Sequence, residues 1–178
     1  NTISSNTIRA AGSSAYGIYA STARYNNITN NNVTASGSSG QGINLDSSAH
    51  NNTFASNWVN ASGGSAVVIS ISASQSNSFS HNVLLGGAGT TVGMAQNGYN
   101  TTFTNTTLMV AATSGIWIAT SINSPSNATF VSTFFNDTNG GIRILPSAIV
   151  PEGYSITLTK LNVSSNNTAY LNSTNMSF

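Results

Sequence analysis

The feature that most narrows what this chain can become is a beat: an apolar residue, then another five positions on. The pairs are Ile3/Ile8, Ile28/Val33, Phe54/Val59, Phe79/Leu84, Phe103/Leu108, Phe130/Phe135 and Ile156/Leu161, with first members 25, 26, 25, 24, 27 and 26 residues apart. A third apolar position follows at Ile18, Ile43, Ile69, Met94, Ile116, Ile142 and Leu171, and in most periods a glycine stands just before it (Gly17, Gly42, Gly93, Gly115, Gly141). Such near-constant spacing marks a repeated supersecondary unit. The apolar segments are short, alternate with period two and are rich in β-branched and aromatic residues, so they read as strands. Three short strands in about 25 residues cannot bury an apolar face alone; stacking the coils about 4.8 Å apart does. The expected fold is all-β: a parallel β-helix solenoid of about seven coils with three short strands per coil, forming a single domain over residues 1–178.

Polar columns keep the same register. Three residues after each first apolar position stand Asn6, Asn31, Asn57, Asn82, Thr106, Thr133 and Thr159. Two residues before it stand Asn1, Asn26, Asn52 and Asn77, then Thr101, Ala128 and Tyr154. Asparagine tolerates the left-handed backbone of a sharp bend, and stacked amides can hydrogen-bond along a ladder. The stretches NTISSNTI, NNITNNNV, NTFASNWV and NSFSHNVL resemble the N-x-I-x-x-N-x-I beat of right-handed parallel β-helix repeats, the pectate-lyase-like superfamily and its NosD-like relatives with PbH1-type repeats. GIY and GINL resemble that family's following strand. The resemblance implies a right-handed solenoid and says little about function, because sites are grafted onto folds.

Composition excludes several classes of function. Charged residues make up 4 % of the chain against roughly 25 % in ordinary domains. Asn, Ser and Thr together supply about 44 %, so surface polarity comes from neutral side chains. Net charge is +1 with no basic run, which leaves almost nothing to neutralise nucleic-acid phosphates. Without cysteine there is neither a disulfide framework nor a thiolate metal site. No apolar run approaches the roughly 18 residues of a membrane span.

The superfamily resemblance implies looking for a polysaccharide lyase or hydrolase site. The acids are Asp46, Asp137 and Glu152. Four coils at about 4.8 Å would separate Asp46 from Asp137 by roughly 19 Å, whereas a glycosidase pair stands about 5–9.5 Å apart. Asp137 and Glu152 share a coil on different arcs, with Arg143 near either, and the expected role is surface charge. The NosD-like resemblance implies a link with copper delivery. His50 and His81 fall at different phases of the repeat, and Met94, Met109 and Met176 are scattered, so no ligand set is expected. Neither a catalytic residue, nor a metal, nor a cofactor is therefore expected.

The surface carries clearer signals. N-x-S/T sequons occur at Asn27, Asn32, Asn51, Asn60, Asn100, Asn105, Asn127, Asn136, Asn162, Asn166, Asn172 and Asn175. By phase, Asn51, Asn100 and Asn127 share one corner and Asn60, Asn136 and Asn162 another, both expected as exposed bends. N-glycans would give an almost uncharged surface a route to solubility. Alternation turns Trp58, Val83 and Phe134 outward on one strand face and Tyr19 and Trp117 outward on another, as lateral or sugar contacts. Outward hydroxyls flank the first apolar positions (Thr2/Ser4, Thr102/Thr104). A T-x-T face resembles ice-binding proteins, but Ala55 and Val131 break the column and sequon threonines lie within it.

Asn1 opens in phase, and Phe178 falls where an eighth coil is due. The chain is thus expected to be a window on a longer solenoid or a unit that stacks end to end, its partners being further coils or other copies of itself. The expected function is a non-enzymatic, extracellular structural β-helix, part of a glycosylated cell-surface protein, sheath or filament. The alternative is a carbohydrate-binding or carbohydrate-processing module.

Overall fold

The computed structural model describes residues 1–87, 90–95, 100–110, 114–119, 128–131, 134–137, 142–144, 156–159, 162–165 and 176–177, with side chains over 1–87 and 100–107. Coil one is β1 (Thr2–Ser4), β2 (Thr7–Ala10) and β3 (Tyr16–Ser21); coil two is β4 (Asn27–Thr29), β5 (Asn32–Ala35) and β6 (Gln41–Asp46). Coil three is β7 (Thr53–Ala55), β8 (Trp58–Ala61) and β9 (Val67–Ser72); coil four is β10 (Ser78–Ser80), β11 (Val83–Gly86) and β12 (Thr90–Ala95). Coil five is β13 (Thr101–Thr104), β14 (Thr107–Val110) and β15 (Ser114–Ala119); coil six is β16 (Ala128–Val131), β17 (Phe134–Asp137) and β18 (Ile142–Ile144). Then come β19 (Ile156–Thr159), β20 (Asn162–Ser165) and β21 (Met176–Ser177). The chain is a right-handed, all-parallel β-solenoid with three strands per coil, as its repeat predicts. Among the described residues, first strands form one sheet of eight, second strands one of seven and third strands one of six. No helix among the described residues is long and apolar enough to cross a membrane, which says nothing of membrane β-barrels.

In-register stacking builds the core. Ile3, Ile28, Phe54, Phe79 and Phe103 stand in one column, and Ile8, Val33, Val59, Leu84 and Leu108 in the next. Strand spacing fixes ring spacing, so Phe54, Phe79 and Phe103 stack at 4.7 and 4.8 Å with planes 10° and 9° apart. All three rings are fully buried, while Ile3 in the outermost strand stays 41 % exposed.

The third strand is not a plain alternation. Tyr16 pairs with Gln41 and Ile18 with Ile43, while Gly17 lies between them against the core. A Cβ on Gly17 would strike the Val33 side chain and the Gly42 carbonyl oxygen (2.6 Å), so glycine is required by the close approach of the next coil.

Two coils place three apolar residues differently from the expected columns. Val92, not Met94, pairs with Ile69 and Ile116; Met94 pairs with Ile71 and Ile118. In coil seven Leu158, not Ile156, pairs with Phe130, and Val163 pairs with Phe135 in the place expected for Leu161. Both are slips of two residues. A slip of two returns every side chain to the same face, so period-two alternation cannot detect it.

Candidate functional surfaces

The chain's asparagines make two continuous columns in the wall of the solenoid. In the first, the backbone N–H and the side-chain Nδ2 of Asn6 both donate to Asn31 Oδ1 (3.0 and 3.0 Å). Asn31 does the same to Asn57 (3.0 and 3.0 Å), and Asn57 to Asn82 (2.9 and 3.1 Å). Asn31, Asn57 and Asn82 also donate through Nδ2 to the carbonyls of Ile3, Ile28 and Phe54 (2.9, 2.8 and 2.9 Å). Asn57 thus uses both amide hydrogens and both acceptor positions, which is what burying it at 1 % exposure demands. In the second column Asn26 donates twice to Asn52 Oδ1 (3.0 and 2.9 Å) and Asn52 twice to Asn77 Oδ1 (3.0 and 3.1 Å). Asn1 joins it through one bond to Asn26 Oδ1 (3.2 Å).

Threonine ends both columns. Thr106 Oγ1 donates to the Thr104 carbonyl (3.1 Å), and Thr101 Oγ1 is buried with no partner. Thr133 lies outside the described residues. Thr159 pairs with Val131, so the slip in coil seven removes it from the ladder position expected for it.

The sharp bends are made one residue before the ladder asparagines, not by them. Ser5, Asn30, Ser56, His81 and Asn105 have φ of 58, 56, 55, 54 and 46°; Tyr25, Asn51, Ser76 and Asn100 have 57, 56, 55 and 54°. A left-handed non-glycine residue costs on the order of 1–2 kcal/mol. After seven of these nine bends an asparagine follows whose side chain supplies compensating hydrogen bonds; Thr106 and Thr101 follow the other two. Residue type alone would not flag Ser56, His81 or Tyr25; the usable signal was their fixed place before each ladder residue.

The sequon asparagines are distributed over strands and bends. Asn51, Asn100 and Asn105 sit exposed at left-handed bends, and Asn27 and Asn32 sit exposed in β4 and β5. Asn60 is half-buried inside β8 rather than at a bend, because the second strand runs on through that phase. Asn136 lies in the column of Asn60, but Asn162 stands opposite Phe134, two positions away. Asn127, Asn166, Asn172 and Asn175 lie outside the described residues.

Exposed aromatics mark the outer faces. Tyr19 is 52 % exposed and stacks on Tyr16 at 5.1 Å; the irregularity at Gly17 puts residues three apart on one face. Tyr25 is 73 % exposed and Trp58 37 %. Register puts Trp117 between Gly93 and Arg143, in the column that begins at Tyr19, and Phe134 in the column of Trp58.

Among the described residues the acidic groups form no cluster, and Arg24 lies beside His50. Asp46 closes β6 in the third sheet, where its Oδ1 accepts from the Ser47 N–H (2.7 Å) and shapes the following bend. Asp137 closes β17 in the second sheet, Arg143 lies in the third, and Glu152 is outside the described residues. His50 Nδ1 accepts from the Gln75 N–H (3.0 Å). Burial, and after it the charge of Arg24, hold the His50 pKa below its usual value. His81 is exposed at a different corner, where its Nε2 accepts from the Asn105 amide (3.3 Å). No group of three or more metal-ligating side chains occurs among the described residues.

Comparison with curated proteins and with solved structures returned no match. The first four and a half coils fare differently: residues 1–114 match the model of the NosD family, described as periplasmic copper-binding protein, and the chain belongs to that family.

Proposed function

We propose that this chain is a non-enzymatic structural β-helix, a length of an N-glycosylated cell-surface protein, sheath or filament. The observation that carries the reading is the continuity of the amide columns. From coil one to coil four, each coil is joined to the next by strand pairing and again by Asn–Asn bonds at two corners, from Asn6 to Asn82 and from Asn1 to Asn77, the inner ones buried. Load along the axis is then shared by many parallel bonds. Five sequon asparagines, Asn27, Asn32, Asn51, Asn100 and Asn105, are exposed, and glycans there would hydrate a surface with few charges. A family described as periplasmic agrees with a place outside the cytoplasm. Its partners are further coils or other copies of itself, meeting at strand edges.

Copper, named in the family's description, does not fit the side chains of the described residues. The chain lacks cysteine, and His50 and His81 occupy separate corners with a backbone N–H and an amide as their neighbours. The stacked Tyr16–Tyr19 pair favours a second reading, a carbohydrate-binding module; a glycan-array signal lost on Tyr19→Ala or Trp117→Ala would support it. Glycopeptide mapping of the native protein tests the first reading. Sugar on Asn51 and Asn100 is expected, and finding both unmodified would remove the glycan coat from the proposal.

A further inference from the structure

Two of the exposed aromatic rings stand directly beside a sequon asparagine of the adjacent coil. Asn32 of β5 pairs with Trp58 of β8 in parallel register. Their side chains therefore leave the same face of the sheet about 4.8 Å apart. Asn32 is exposed, and its side-chain amide has no hydrogen-bond partner among the described residues; its backbone N–H donates to the Asn6 carbonyl (2.8 Å).

The second pair is at a corner. Arg24 bridges His50, and Asn26 bonds Asn52 through its side chain, so Tyr25 and Asn51 between them are neighbours. Both have the same left-handed backbone, φ 57 and 56°. By register alone the juxtaposition recurs where Asn162 opens β20 beside Phe134 of β17.

We infer that these rings are platforms for the chain's own glycans: the first sugar of an N-glycan on Asn32 lies over the Trp58 indole, and that on Asn51 over Tyr25. The inference rests on the glycosylation reading above. One face of a pyranose is a patch of C–H groups with partial positive charge, and it meets the negative face of an aromatic ring favourably. The ring is flat and has few torsions to freeze, so little order is lost on contact. The arrangement also explains why a surface so poor in charge leaves Tyr25 and Trp58 in the open: the sugar covers an apolar patch that would otherwise invite association.

The test uses the full chain from a host that N-glycosylates it. A Trp117→Phe background leaves Trp58 as the single indole; should that variant not fold, the Trp58 signal is the difference between the parent and Trp58→Phe. Asn32→Gln and Thr34→Ala each abolish the sequon, the second while keeping Asn32. With Asn32 glycosylated, Trp58 should emit at shorter wavelength and be less quenched by acrylamide than in either variant, and the two variants should agree. An Asn32 that carries sugar while Trp58 emission and quenching equal those of the variants overturns the platform and leaves glycosylation standing. So does an unmodified Asn32 in a chain glycosylated elsewhere. A chain with no sugar at any sequon overturns both.

Discussion

Replacing Asn57 by alanine should cost far more than a polar residue in a wall normally would. The side chain accepts from the N–H and Nδ2 of Asn31, and donates to the Ile28 carbonyl and to Asn82 Oδ1. Truncation leaves two Asn31 donors without their acceptor and takes a donor from Ile28. Asn82 Oδ1 keeps the backbone N–H of residue 57. At about 1–3 kcal/mol for each stranded buried group, offset where water enters the vacated space, the loss should be about 3–5 kcal/mol. Asn57→Thr should lose less, since threonine occupies the equivalent place at Thr106. Asn60→Ala, three residues along the same coil, should change stability by under about 1 kcal/mol, because its side chain has no hydrogen bond among the described residues. Urea denaturation gives the overall change. Solenoids can unfold in sections, so amide exchange at Asn31 and Trp58 should accompany it to localise the damage. An Asn57→Ala chain within about 1 kcal/mol of the parent, with unchanged exchange at Asn31, would refute the view that the amide column holds the coils together.

Other perturbations probe the same frame. Phe79→Ala removes the middle ring of the buried stack and should cost about 3–5 kcal/mol by denaturant melting, whereas Phe79→Leu should cost much less. Thr101→Asn should extend the second column by offering Oδ1 to Asn77, raising stability by about 1 kcal/mol; a loss would show that the site cannot take the amide. His50 favours its neutral form in the folded chain, so the unfolded chain binds more protons as pH falls below 6.5. Stability should therefore decline with falling pH in that window, and the decline should be shallower in His50→Gln; equal slopes would argue against it.

Much of this was legible in the sequence because the repeat states it many times. The period of Ile28, Phe54, Phe79 and Phe103 specifies stacked coils, and the Asn31–Asn57–Asn82 spacing specifies which residues share a corner. What remained hidden has physical reasons. Alternation cannot distinguish Val92 from Met94, or Leu158 from Ile156, since each pair lies on one face of its strand. Asparagine suggests both a left-handed bend and a ladder, and only the structure separates the roles: Ser56 bends and Asn57 bonds. The pairing of Asn32 with Trp58 follows from register once the coils are aligned, but aromatic and sequon are 26 residues apart and neither motif signals the other.

We propose that this β-helix serves as a structural element of a cell surface, and immunogold electron microscopy of the native cells, with an antibody to the folded solenoid, is the test. Label arrayed along an outer layer, sheath or filament is the expected result. Label confined to the cytoplasm, or recovered only as free soluble protein, would contradict it.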